Sequence, residues 1–590
     1  MAISTANSQN AASAGHSATR DPARVGVRAR KLAAWMMSFL LPFALSGCTG
    51  GGDPPSSSSG SPVYPAPPPG PDAVLTAADV TSIVQAAAAS VNDDTMAIAV
   101  VDRQGDVLAV YQKPSAPANS TYYGQTIDTP DLAVGLARAT ALFSIDQAPL
   151  STRSLRFLGE IHFPPGVMNA GNGDLYSIES SNRGCRLDSP AVPYNPGKAY
   201  PQTFALSPPF PANTPGFGIV TGKANVMDSL PGAVNPGGVP IYKKNLNGDT
   251  FMVGGVGVVA VNIDVAEYAA FSGAFSPGFG LVVPFPGEVL IGGVALPFVV
   301  NTTIPAGFSA GTADGAYLPG FSPVDSPGPV PDGDLIGPVA GPLGGLTVAQ
   351  VTEILDAAVT TASLTRSALR LPQGSRTQMT IAIADLDGTI IGLRHMRDAT
   401  IESIDVAVTL ARNEVYFNGG WPGGIVPGDV PSVPAGTAIT NGAVNFMGQP
   451  LFPPDIDGSP VGPLFFLFVN DVATIFSHTC GQASQPLGPN QSGTTFLAAG
   501  GVGLYDSTGK LLGGLGVRGD GADRDDFVAN GAASGFANPL PTCSGTNCYL
   551  PNPSIRTDQF CINALGAALP CGSPGAVRLP FSKFPRNPTF

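Results

Sequence analysis

Met96-Ala-Ile-Ala-Val-Val-Asp-Arg-Gln-Gly105 and Met379-Thr-Ile-Ala-Ile-Ala-Asp-Leu-Asp-Gly388 are the same phrase written twice. Each opens with a short apolar run that suits a buried strand. Each then turns at an Asp and a Gly into a second apolar run, Asp106–Gln112 or Thr389–His395. A hairpin is therefore expected at both places. Outward from it the match continues. Before it, Leu75–Ala87 pairs with Leu346–Ala358; both begin with a threonine at an N-cap position and carry apolar residues at helical spacing. After it, Asp131-Leu-Ala-Val-Gly-Leu-Ala-Arg138 pairs with Asp405-Val-Ala-Val-Thr-Leu-Ala-Arg412, a helix with an acidic first turn whose apolar face takes in Phe143 and Phe417.

Two further blocks keep the same order. Phe157–Pro165 matches Phe446–Pro454, with Phe-Pro-Pro at the end of each. Gly237-Gly-Val-Pro-Ile-Tyr242 matches Gly500-Gly-Val-Gly-Leu-Tyr505, followed by Val253-Gly-Gly-Val-Gly-Val258 against Leu512-Gly-Gly-Leu-Gly-Val517. Five ordered blocks identify an internal repeat. Each copy reads helix, hairpin, helix, long loop, hairpin, helix. Strands joined by short turns pair antiparallel, so the class is α+β, or α/β in the broad sense. The first domain is expected over 75–275 and the second over 346–536. Between them, 276–345 is a Pro/Gly-rich connector whose apolar run Val289–Val300 suits an extra strand. Residues 537–590 read as a tail.

The ordered blocks resemble the GlcG/HbpS family of haem-associated domains, related to the C-terminal domain of PduO. The carrying residues are the Val100–Gly105 turn with its partner Ala384-Asp385, the Ala-Arg helix, the Gly-Gly-Val-Pro-Ile strand and the Gly-Gly-x-Gly-Val hairpin. The resemblance implies a roughly five-stranded antiparallel sheet flanked by helices, profilin-like, and an assembly habit that two fused copies would satisfy as an internal pseudo-dimer, with further oligomerisation open. It also implies haem or a related small ligand. The family usually has Gly-Val-Ser-Gly after the last hairpin. Here the segments are Gly257-Val-Val-Ala260 and Gly516-Val-Arg-Gly519.

The N-terminus reads as an export signal. A basic stretch, Arg20–Lys31, precedes the apolar run Leu32–Leu45, which is too short to span a bilayer. Leu45-Ser-Gly-Cys48 resembles the lipobox of bacterial lipoproteins, which implies a signal peptide over 1–47, acylated Cys48 as a membrane anchor, and, with Thr49 next, an outer-membrane address on the periplasmic or surface side. Residues 48–74 form a Gly/Ser/Pro tether. The whole chain carries a net charge of −13. Without the basic leader it is more negative still, which argues against nucleic acid as a partner.

Candidate haem ligands are His162, His395 and His478; none recurs in the other copy, and His16 lies in the leader. The repeated acid pairs Asp264/Glu267 and Asp523/Asp526, three apart on a helix, suit either a hard cation or the helix dipole. Asp102 and Asp385 fit turn capping. Six cysteines remain after Cys48: Cys185, Cys480, Cys543, Cys548, Cys561 and Cys571. An even number in an exported chain implies disulfides. Cys543–Cys548 and Cys561–Cys571 suit local pairs; Cys185 and Cys480 either bridge the copies or each reach the tail. No nucleophile elbow, metalloprotease motif or repeated triad occurs. Three functions stand: a tethered binding protein for haem or a similar ligand, a haem-degrading enzyme, and a structural lipoprotein with a degenerate site.

Overall fold

The computed structural model describes residues 73–122, 125–167, 170–176, 178, 220–224, 233–280, 289–329, 332–419, 433–454, 456–465, 498–535 and 548–582. Thr76 caps helix α1 (Ala77–Ala89): its hydroxyl accepts from the Asp79 N–H, and the Asp79 carboxylate accepts from the Thr76 N–H. Strands β1 (Ala97–Asp102) and β2 (Val107–Gln112) form the expected hairpin. A short hairpin, β3 (Asn119–Tyr122) and β4 (Gln125–Asp128), leads into α2 (Thr129–Phe143) and the short α3 (Thr152–Leu158). Then come β5 (Gly238–Lys244), β6 (Thr250–Val259) and α4 (Ile263–Ala274). Four short strands follow: β7 (Leu290–Ile291), β8 (Val294–Ala295), β9 (Ala316–Tyr317) and β10 (Gly333–Ile336).

The second half repeats the plan. Thr347 caps α5 (Val348–Leu364) with the same reciprocal bonds, here to Gln350. The chain continues through β11 (Thr380–Ala384), β12 (Ile390–His395), α6 (Glu402–Phe417) and the short α7 (Asn441–Met447). It then forms β13 (Gly501–Tyr505), β14 (Leu511–Arg518) and α8 (Ala522–Ala533). The tail makes a small sheet from β15 (Cys561–Ile562), β16 (Ala568–Leu569) and β17 (Val577–Arg578).

Two antiparallel five-stranded sheets result, ordered β5-β6-β1-β2-β9 and β13-β14-β11-β12-β10. The class is α+β. The sheets agree in detail: Ala97 faces Gln112 and Val259, as Thr380 faces His395 and Arg518. Both first hairpins shift register at the same place, Val100/Val101 and Ile383/Ala384. Side chains alternate across each sheet. In the first, Ile98 and Val100 face α1 and α4, while Ala97, Ala99 and Val101 face α2. The α2 layer and the α6 layer share one apolar cluster.

The connector departs from expectation. The run Val289–Val300 forms the β7–β8 hairpin, outside both five-stranded sheets. The fifth strands are β9, beside β2, and β10, beside β12. The turn aspartates hold this stretch. Asp102 accepts from the Ser326 hydroxyl at 2.9 Å, and Asp385 from the N–H groups of Leu343 and Gly344 at 3.0 and 2.7 Å.

A sixth matching block emerges beyond the five. Leu296-Pro297-Phe298 and Leu579-Pro580-Phe581 each return to the N-cap of a short helix, where the Phe carbonyl accepts from the hydroxyl of Ser151 or Thr440. The Leu296 N–H meets the Val289 carbonyl, and the Leu579 N–H meets that of Phe560. In the second half the loop between is enlarged and carries the expected disulfide Cys561–Cys571. Cys548 is also disulfide-bonded, to a cysteine outside the described residues. Cys48, Cys185, Cys480 and Cys543 lie outside them too.

The glycine hairpins have a packing role. A Cβ on Gly255 or Gly257 would lie 2.2 or 2.0 Å from the carbonyl oxygens of Ala137 and Ala133 on α2; on Gly514 or Gly516 it would lie 2.0 or 2.1 Å from those of Ala411 and Ala407 on α6. Helix backbone rests directly on strand backbone. The Ala-Arg motif follows from this seat: Arg138 and Arg412 donate through Nε to the carbonyls of Gly105 and Gly388, at 2.9 and 3.0 Å, clasping the hairpin turns. Gly516→Val is expected to lower stability by about 3 kcal/mol or more, since both backbones must part. Gly337→Ala, at a position with open space around it, should stay within about 0.5 kcal/mol. Urea denaturation midpoints compare the two.

Candidate ligand-binding site

The site grows from the second half. Glu414, near the end of α6, is buried and accepts from the Asn441 N–H at 2.7 Å, at the start of α7. Burial drives its pKa well above the ordinary carboxylate value. Thr440 caps α7 by accepting from the Ala443 N–H. Beside it, Asp526 on α8 accepts from the Gly500 N–H at 2.7 Å. The next turn, Phe452-Pro453, has a cis peptide bond, as does its counterpart Phe163-Pro164.

Between α7, this turn and the first turn of α8 lies a cavity of about 720 Å³. The first half closes it with Phe163, the segment around Asn172 and Asp174, and the β7–β8 turn at Ile291 and Gly292. Across it the halves exchange hydrogen bonds between amide groups. The Asn172 N–H donates to Gln449 Oε1 at 3.0 Å, and Gln449 Nε2 donates to Asn172 Oδ1 at 2.6 Å. Phe446, Pro453, Pro580 and Ala499 supply apolar wall; Asp174, Asp523, Asp526, Asn445 and Arg524 supply polar wall.

The corresponding positions of the first half are filled. Arg153 grips Glu267 through two bonds of 2.7 and 2.9 Å, and Asn301 adds a third at 2.7 Å. Arg156 and Glu160, both fully buried, lie 3.6 Å apart. In the repeat alignment, Arg153 becomes Gly442, Arg156 becomes Asn445, Glu160 becomes Gln449 and Glu267 becomes Asp526. A Cβ on Gly442 would lie 2.9 Å from Asp526 Oδ2. The second half thus has shorter or uncharged side chains where the first has ion pairs. This substitution pattern is visible in the sequence once the copies are aligned column by column.

The predicted site residues fall in several places. Glu267 and Asp264 hold the connector, Asp264 through Asn301 at 3.0 Å. Asp523 and Asp526 line the cavity. Among the described residues no group of three or more His, Cys, Asp or Glu is arranged to hold a metal. His162 is buried, with Nδ1 2.8 Å from the Ala170 carbonyl. His395 is buried at the end of β12, and burial, with the charge of Arg103 adding, lowers its pKa to about 4. Neither lines the cavity, though Phe163, next to His162, does. His478 lies outside the described residues. The described wall contains no His, Cys, Met or Tyr. It therefore offers none of the usual axial donors to a haem iron.

No family model matches the chain, and no curated protein matches it. Among solved structures it is similar to a PduOC–haem complex, at 20% identity over 34% of this chain and 97% of that one, with a TM-score of 0.20. It is also similar to protein ORFY of Klebsiella pneumoniae, of the family DUF336, at 14% identity over 32% of this chain and 90% of that one, with a TM-score of 0.20.

Arg153→Ala leaves the Glu267 carboxylate buried with its strongest partner gone, and is expected to destabilise by about 3–5 kcal/mol. Adding Glu267→Gln should recover most of that loss. Thermal denaturation of the two variants checks both statements.

Proposed function

We propose that this chain is a binding protein for a small organic ligand, held in the 720 Å³ cavity of its second half and tethered to a membrane on the outer side of the cell through acylated Cys48. The observation that carries the reading is the hollowed second copy. Ligand cavities typically run from roughly 300 to 1,000 Å³ and combine apolar walls with a few convergent polar groups. This one has both, and the filled first copy acts as its frame. The domains at 75–275 and 346–536 form an internal pseudo-dimer in this reading; matched strand order, matched register shifts and the shared apolar cluster support it. Haem is the first probe because of the sequence resemblance. The described wall gives its iron no customary axial ligand, so binding would rest on the shape and polarity of the cavity rather than on coordination of the metal.

Titration of the mature protein with haem, followed at the Soret band, and with other planar organic molecules, followed by calorimetry, tests the reading. Saturable one-to-one binding lost in Gly442→Arg, which carries the Arg153 side chain into the cavity, is the expected result. Binding unchanged in that variant, or absent for every molecule tried, sinks it. The tether is tested separately. Cys48→Ser is expected to move the protein from the membrane fraction to the soluble fraction, and retention in the membrane would refute the anchor.

A further inference from the structure

A second cavity, about 320 Å³, opens beside the first and shares Gly292, Ala368 and Arg524 with it. Three arginines line it: Arg366, Arg370 and Arg524. The whole chain has only 29 Lys and Arg against 42 Asp and Glu, so three guanidinium groups on one small cavity are a marked local excess. They are not equally neutralised. Arg370 is fully buried; it pairs with Asp398, and its Nε lies 3.7 Å from Asp520. Asp520 is itself engaged by the Ser367 hydroxyl and the Ala368 N–H. Among the described residues Arg366 has no ion pair or side-chain hydrogen bond, and Arg524 makes no ion pair: it reaches the Arg366 carbonyl at 3.5 Å and acts on Asp520 through charge alone. Two half-buried guanidinium groups thus line one cavity with no carboxylate in ion-pair contact with either among the described residues. Like charges on one small cavity repel, and an anion between them relieves that repulsion. Guanidinium forks match carboxylate, phosphate and sulfonate oxygens geometrically.

We infer that the ligand is an amphipathic organic anion, its body in the larger cavity and its oxyanion group held by Arg366 and Arg524 in the smaller one. The inference rests on the binding function proposed above and adds the charge and polarity of the ligand to it.

The test uses two dyes with the same aromatic body. One is 8-anilinonaphthalene-1-sulfonate; the other is neutral N-phenyl-1-naphthylamine. Fluorescence titrations on the full mature chain should show the sulfonate binding at least about ten-fold more tightly, as expected for one charge-assisted contact. In Arg366→Gln, which alters the smaller cavity alone, the sulfonate should weaken several-fold while the neutral dye is unchanged; in the double variant Arg366→Gln/Arg524→Gln the two affinities should converge. Arg578→Gln, an exposed arginine that lines neither cavity, should alter neither. Equal wild-type affinities would overturn the anion subsite and leave the cavity reading standing, as would a sulfonate preference that survives the double variant. Failure of both dyes to bind the wild type would overturn both readings together.

Discussion

Helix backbone lying on strand backbone, with only glycine between, is the constraint from which the other positions follow. Side chains standing out from a sheet normally hold a helix off the strand backbone. At Gly255, Gly257, Gly514 and Gly516 that spacing collapses, and no residue with a Cβ fits. The seat fixes α2 and α6 along their sheets. It brings Arg138 and Arg412 to the hairpin turns they clasp. It also carries Glu414 beneath the first N–H groups of α7, which in turn sets one wall of the cavity. A change at the strand is therefore felt at the site through rigid backbone.

The halves share this scaffold and differ in what fills it. The first half closes its counterpart of the site with Arg153–Glu267 and Arg156–Glu160. Buried pairs of this kind add little net stability over apolar packing, but each member becomes costly to leave alone. The second half keeps Asp526 and loses the arginine, and its space stays open.

Much of the scaffold was legible in the sequence because its signals are local. Thr76 and Thr347 announce helix starts, and Asp-x-x-Gly announces both hairpins. The edge strands were not. Ala316–Tyr317 is two residues long and Gly333–Ile336 is four, each in a Pro/Gly-rich stretch without alternation. They are strands because β2 and β12 present unpaired edges to them, a non-local cause. Val289–Val300 had the stronger local pattern and folds back on itself. The Leu-Pro-Phe match was hidden by unequal loop lengths around Cys561–Cys571. Of the site, Asp523 and Asp526 were picked out, yet the decisive residue is Gly442, whose meaning lies in a side chain it lacks. His162 and His395 stand out in the sequence by type alone; both are buried and neither lines the cavity.

The shared connector ties the two sheets to one peptide. Its residues complete one sheet on their way out of the first half and the other sheet on their way into the second. A break anywhere between β9 and β10 would leave each piece its last strand, but a break before β9 or after β10 would strip one sheet of its border. Exposed strand edges invite pairing with other molecules. Only the stretch from Leu318 to Asp332 belongs to neither border, so a cut there alone would leave both sheets their fifth strand.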